Sequence, residues 1–222
     1  MIYPIEYLVI VPDGSDEMEV APIVEIPGWT KVVEGTERVD VKVAGWDNPI
    51  YMFHGLKIVP YIMIDEVNVD EYDAICLPGG WHGTQYFDQI RTDALKNILR
   101  EADKKGKIIA TMCNGVLALG EAGLLGGKKC TSFTGECCEL CRSIKPKLES
   151  YGAKFQEKSI VIDGKLISNI GPAVADEVAM VMLEKLIGAE SVKKIVDMMM
   201  YNRVYPKELK WTGPVTPKTK KK

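Results

Sequence analysis

The stretch Lys107-Ile108-Ile109-Ala110-Thr111-Met112-Cys113-Asn114-Gly115-Val116-Leu117-Ala118-Leu119-Gly120 decides the fold. A short apolar run bounded by turn residues reads as a strand buried on both faces, as in a parallel sheet. The residues after it carry helical spacing, and Gly123 closes the helix as a C-cap. Strand and helix meet at Cys113. A thiol on such a corner lies where unpaired N–H groups and the positive end of a helix dipole favour thiolate over thiol. Simple packing of cysteine as a small hydrophobe is the alternative.

The same grammar repeats along the chain. Glu6 to Val11 is an apolar run stopped by Pro12-Asp13-Gly14-Ser15, and a helix is expected from Asp16 to Val33, with Pro22 and Pro27 in its first turn or kinking it. Strands follow at Val39 to Ala44 and Ala74 to Leu77, with shorter β segments from Pro49 to Phe53 and Leu56 to Pro60. Thr92 to Lys105 has helical spacing, as does Asn114 to Ala122. Val161 to Ile167 reads as a hairpin around Asp163-Gly164, and Pro172 to Leu186 as a helix opened by proline. Alternating strands and helices predict an α/β sandwich with a mainly parallel central sheet covered on both faces.

The 222 residues suit one domain over 1–205, followed by a basic tail over 206–222 that lacks apolar periodicity. A net charge of −3 supplies no basic field to recruit nucleic acid. No apolar run approaches a membrane span, and the chain begins without a basic, apolar leader, so a cytoplasmic protein is expected. A chain of this size needs no disulfide staples, so its six cysteines are expected to be reduced. Cys137, Cys138 and Cys141 contain one C-x-x-C, which is short of ligands for structural zinc, and neither metal nor cofactor is expected.

In a parallel α/β sheet, ligands gather beyond the carboxyl ends of the strands. The loops there are Pro12 to Ser15, Pro78 to Gly83, Met112 to Gly115 and Ile170 to Ala173. Cys113 is the candidate nucleophile, and the N–H groups of Gly80 and Asn114 are candidate oxyanion donors. Asp16 and Glu19 open the first helix on one side, and either can face the thiol as a proton donor with a raised pKa. Of the two histidines, His54 is expected on the surface and His82 at the border of the site, where it can assist.

Taken in order, these pieces resemble the ThiJ/PfpI superfamily, which includes the parkinsonism-associated deglycase, glyoxalase III-type chaperones, PfpI-type peptidases and isocyanide hydratases. The likeness rests on Gly14-Ser15-Asp16-Glu17-Met18-Glu19, Tyr72-Asp73-Ala74-Ile75-Cys76-Leu77-Pro78-Gly79-Gly80, Ala110-Thr111-Met112-Cys113-Asn114-Gly115, Gly123-Leu124-Leu125-Gly126-Gly127-Lys128 and Ile170-Gly171-Pro172-Ala173. It implies a flavodoxin-like three-layer sandwich, a homodimer or higher oligomer, Cys113 as elbow nucleophile, Glu19 as its carboxyl partner, and backbone donors at Gly80 and Asn114.

Both histidines used in the family are absent. Asn114 follows the cysteine where peptidase-like members carry histidine, and Phe133 occupies the later position used by the deglycase. Cys-His protease and glutamine amidotransferase readings therefore fall. The resemblance points to glyoxalase III or deglycase-like chemistry on a small reactive aldehyde. Redox sensing or chaperoning through oxidation of Cys113 is a different class of answer, and a His-free hydratase-like lyase or a silent member is a third. Thr134 to Ile144 matches no motif of the family.

Overall fold

A computed structural model describes residues 4–135 and 138–201. The expected tail over 206–222, and with it the domain limit at 205, lies outside the described residues, as does Cys137. In chain order the elements are β1 (Ile5–Ile10), α1 (Glu17–Gly28), β2 (Val39–Gly45), β3 (Ile50–Tyr51), β4 (Lys57–Ile58), β5 (Ile62–Met63), β6 (Ala74–Leu77), α2 (Tyr86–Gln89), α3 (Asp93–Lys104) and β7 (Ile108–Thr111). They continue with α4 (Val116–Glu121), β8 (Lys129–Cys130), α5 (Glu139–Ser150), β9 (Lys154–Phe155), β10 (Ile160–Asp163), β11 (Leu166–Asn169), α6 (Ala175–Ile187) and α7 (Ala189–Met198).

Seven strands form one sheet in the order β10-β11-β7-β6-β1-β2-β5, parallel throughout except for the β10–β11 hairpin. Alternation along β1 divides the core. Tyr7 and Val9 face one layer with α1, α6 and α7; Leu8 and Ile10 face the other with α3, α4 and α5. Strands buried on both faces have no polar side, which is why they read as continuous apolar runs. α3 shows how the sequence sets a helix: Thr92 caps it, and Leu95, Ile98, Leu99 and Ala102 recur on one buried stripe. Among the described residues no helix is long and apolar enough to cross a membrane.

Chain order reverses at β1, with β2 on one side and β6 on the other. Loops leaving β1 and β6 feed helices on opposite faces and open a crevice between them, the usual ligand position in such sheets. A short antiparallel bridge, Ser15 to Gly80, ties the two loops together. Asp16 N–H donates to Gly79 O at 3.0 Å and Trp81 N–H to Gly14 O at 3.1 Å.

Several expected bounds shift. α1 ends at Gly28 and continues as a 3₁₀ turn over Trp29–Lys31, and both Pro22 and Pro27 lie within the helix, not in its first turn. The expected helix from Asn114 begins as a 3₁₀ turn, Cys113–Gly115, before α4. The one from Pro172 begins as a 3₁₀ turn, Pro172–Val174, before α6. Edge strand β5, the small β8–β9 pair and helices α2, α5 and α7 are additions.

Ile75 lies in central strand β6 and is fully buried. Ile75→Ala is expected to destabilise the fold by about 2–5 kcal/mol through lost burial and the cavity left behind. Urea unfolding of the two proteins measures it as a lower midpoint.

Candidate active site

The sharp turn after β7 is built by a residue in an unfavourable conformation. Cys113 has φ 51, one of two non-glycine residues with positive φ among the described residues. A side chain held in that region costs about 1–3 kcal/mol and persists only where its surroundings fix it. Here its N–H donates to Asn169 Oδ1 at 2.9 Å, and its carbonyl accepts from Ser132 Oγ at 2.8 Å. Asn169 also takes the Gly171 N–H at 3.1 Å, so one buried amide at the end of β11 joins two loops.

Asn114 holds the elbow from the other side. Its Nδ2 donates to Gly80 O at 2.6 Å and its Oδ1 accepts the Gly80 N–H at 3.0 Å. This corrects the sequence-based role of Gly80: its N–H is spent on Asn114 and does not point into the crevice as an oxyanion donor. The Asn114 N–H, by contrast, is directed at the Cys113 sulfur.

Glu19 is fully buried. Its Oε2 accepts the Gly79 N–H at 2.5 Å, Oε1 has no hydrogen-bond partner among the described residues, and the carboxyl lies against the Cys113 thiol. The crowding is evident at Gly79. A Cβ there would fall 2.6 Å from Cys113 Cβ, 2.9 Å from Glu19 Oε2 and 3.0 Å from Asn114 Oδ1. Only glycine lets carboxyl, thiol and amide converge on one point.

Burial pushes the Glu19 carboxyl up to about 8; the Gly79 N–H pulls against this, and the Asp16 charge adds to it. Burial, then the Glu19 charge, also push the Cys113 thiol well above its ordinary value, against the pull of the Asn114 N–H. This reverses the sequence-based expectation of a thiol lowered by a helix dipole. The helix behind Cys113 is only six residues, preceded by a 3₁₀ turn, so its dipole is small, and the cavity over the thiol is walled mainly by apolar atoms. The two groups act as a pair: at neutral pH both hold protons, and one proton leaves the pair before the second.

Asp16, the other carboxyl considered, is spent differently. Its Oδ1 caps α1 through the Met18 N–H at 3.0 Å, and its Oδ2 accepts Trp81 Nε1–H at 3.3 Å, at the wall of the site. His82 is exposed on the rim of the cavity, whereas His54 is outside it and pairs with Glu17 at 2.6 Å. Asp16, Glu17 and His54 bring ligand atoms within 4.8 Å of one another, but each is engaged by protein partners.

A cavity of about 70 Å³ lies over Cys113, walled largely by apolar atoms. Phe133 lines it, as do Leu140, Cys141 and Ile144 of α5. Leu140, Ile144, Asn169 and Ser132 were not singled out from the sequence, and Cys141 only as part of the C-x-x-C. The visible signal was the polar Ser168-Asn169 ending of an otherwise apolar strand.

Fold and site together define an α/β sandwich with a cysteine on a strand-to-helix elbow and a buried carboxyl beside it. Residues 6–185 match the DJ-1/PfpI family, and the chain belongs to it. It is 29% identical over 197 residues to Protein DJ-1alpha of Drosophila melanogaster, covering 87% of this chain and 83% of that one. It is 32% identical over 120 residues to Deglycase PfpI of Pyrococcus furiosus, covering 54% of this chain and 65% of the relative. The crystal structure of Drosophila melanogaster DJ-1beta superposes with a TM-score of 0.76 at 26% identity, over 89% of this chain and 98% of that one.

Because the Glu19 pKa is raised on folding, the folded state binds an extra proton between the ordinary carboxylate value and about 8. Its contribution to stability is full at acid pH and is lost as pH rises through that window. Glu19→Gln is expected to flatten this decline between about pH 4.5 and 8, measured by denaturant titration at several pH values.

Proposed function

We propose that the protein is a cysteine-dependent enzyme acting on a small reactive aldehyde, with glyoxalase III or deglycase-like activity. The observation that carries this is the protonated, buried Glu19 beside the Cys113 thiol on a strained elbow. Deglycase names among the relatives agree with it.

Loss of the first proton from the pair leaves the Glu19 carboxylate facing the Cys113 thiol, and the carboxylate takes the thiol proton as the sulfur attacks. With methylglyoxal, the sulfur electron pair forms a bond to the aldehyde carbon, and the carbonyl π pair moves to oxygen. The Asn114 N–H beside the sulfur meets that developing charge, and Glu19 supplies the proton. A proton moved from C1 to C2 by way of Glu19 then turns the hemithioacetal into a thioester. Water hydrolyses it to lactate, returning the Cys113 thiol. No histidine is needed, because one carboxyl close to its ordinary working pH both gives and takes protons. The small, mainly apolar cavity suits a three-carbon substrate better than a peptide.

The test is lactate formation from methylglyoxal. Cys113→Ser is expected to abolish it, Glu19→Gln to lower kcat by about 10²–10⁴-fold, and the wild-type rate to rise with pH through about 8. Equal turnover by wild type and Cys113→Ser contradicts the proposal.

A further inference from the structure

The C-x-x-C of the sequence takes no part in the chemistry above, and the structure places its second cysteine, Cys141, against the same cavity. Cys138 is the N-cap of the twelve-residue helix α5, and Cys141 is in its first turn. Their sulfurs are 3.0 Å apart, and the Cys141 N–H donates to Cys138 Sγ at 3.4 Å. Residues three apart across an N-cap fall within the Cα separations of about 4.4–6.8 Å that a disulfide spans. Cys141 is buried and lines the cavity that holds Cys113, close enough for charge on one sulfur to weigh on the other.

We propose that Cys141 and Cys138 are a resolving dithiol for Cys113, making the protein a thiol-dependent hydroperoxide reductase that is turned over by an external dithiol. This rests on the reading of Cys113 as a nucleophile. Cys113 thiolate attacks the hydroperoxide; an S–O bond forms, the O–O bond breaks, and the alcohol or water leaves. Cys141 then attacks the Cys113 sulfenic acid, forming a Cys113–Cys141 disulfide and releasing water. Cys138 displaces Cys113, leaving a Cys138–Cys141 disulfide and a free Cys113 thiol. In that last step the thiolate of Cys138 is met by the first-turn N–H of α5, as in other C-x-x-C pairs at helix starts. A reducing dithiol of the surroundings returns two electrons and two protons. The relay protects Cys113 from the irreversible sulfinic state to which an unresolved sulfenate proceeds.

The test uses the full chain with Cys137→Ser, which leaves Cys138 and Cys141 as the dithiol, and adds Cys113→Ser, Cys138→Ser or Cys141→Ser in turn. Serine keeps an N-cap at 138. Each protein is reduced, given one equivalent of hydrogen peroxide, quenched with an alkylating reagent and mapped by mass spectrometry. In the parent, Cys138 and Cys141 are expected to be joined and Cys113 to be recovered as thiol. Cys113→Ser is expected to slow the disulfide at least about tenfold, since the initiating thiolate is gone. Cys138→Ser is expected to stop at a Cys113–Cys141 disulfide, and Cys141→Ser to hold Cys113 as sulfenate after the first equivalent and to carry it on to sulfinate when a second is added. Sulfinate forming at the same rate in the parent and in Cys141→Ser overturns the relay while leaving Cys113 a nucleophile. A Cys138–Cys141 disulfide forming equally fast in Cys113→Ser also overturns it. Cys113 that neither oxidises nor alkylates in any variant overturns both readings.

Discussion

The structure turns on one contact: the Glu19 carboxyl, buried at the crevice between β1 and β6, held by the Gly79 N–H and facing the Cys113 sulfur. Burial of a carboxyl without a cation costs free energy that ionisation would multiply, so the group keeps its proton near neutral pH. That single protonation state decides what the thiol beside it can do. A charged carboxylate would hold the sulfur as a thiol; a protonated one donates to a thiolate.

The surroundings serve to keep these two groups together. Cys113 is in left-handed backbone, and the strain is sustained by Asn169, Ser132 and Asn114, each tying the elbow to a different strand end. Gly79 contributes by having no side chain, because any Cβ would wedge apart the three groups that meet there. Parallel pairing of β6, β7 and β11 then brings their carboxyl ends level, so residues far apart in sequence share one crevice.

Much of this was legible in the sequence. The buried strands appear as unbroken apolar runs because both sheet faces are covered, and α3 appears because its apolar spacing is regular. Cys113, Glu19 and Asn114 were singled out because their turns carry a recognisable order of residues, and the structure brings the three together at Gly79. What escaped depends on three-dimensional accounting. The N–H of Gly80 looks available until Asn114 is seen to take it, and the dipole behind Cys113 looks helpful until the helix proves short and the thiol buried. α5 has an amphipathic face, but nothing local says that Leu140, Cys141 and Ile144 close over the elbow. The two-residue strands β5, β8 and β9 are too short to carry a period; their pairing comes from neighbours.

The most direct test of the account is the pH dependence of Cys113 alkylation, with the other five cysteines replaced, in wild-type and Glu19→Gln backgrounds. A shared proton predicts that the rate follows two linked ionisations with Glu19 present, collapsing to one when the carboxyl becomes an amide. Superimposable profiles would contradict it, since Cys113 would then titrate without reference to Glu19.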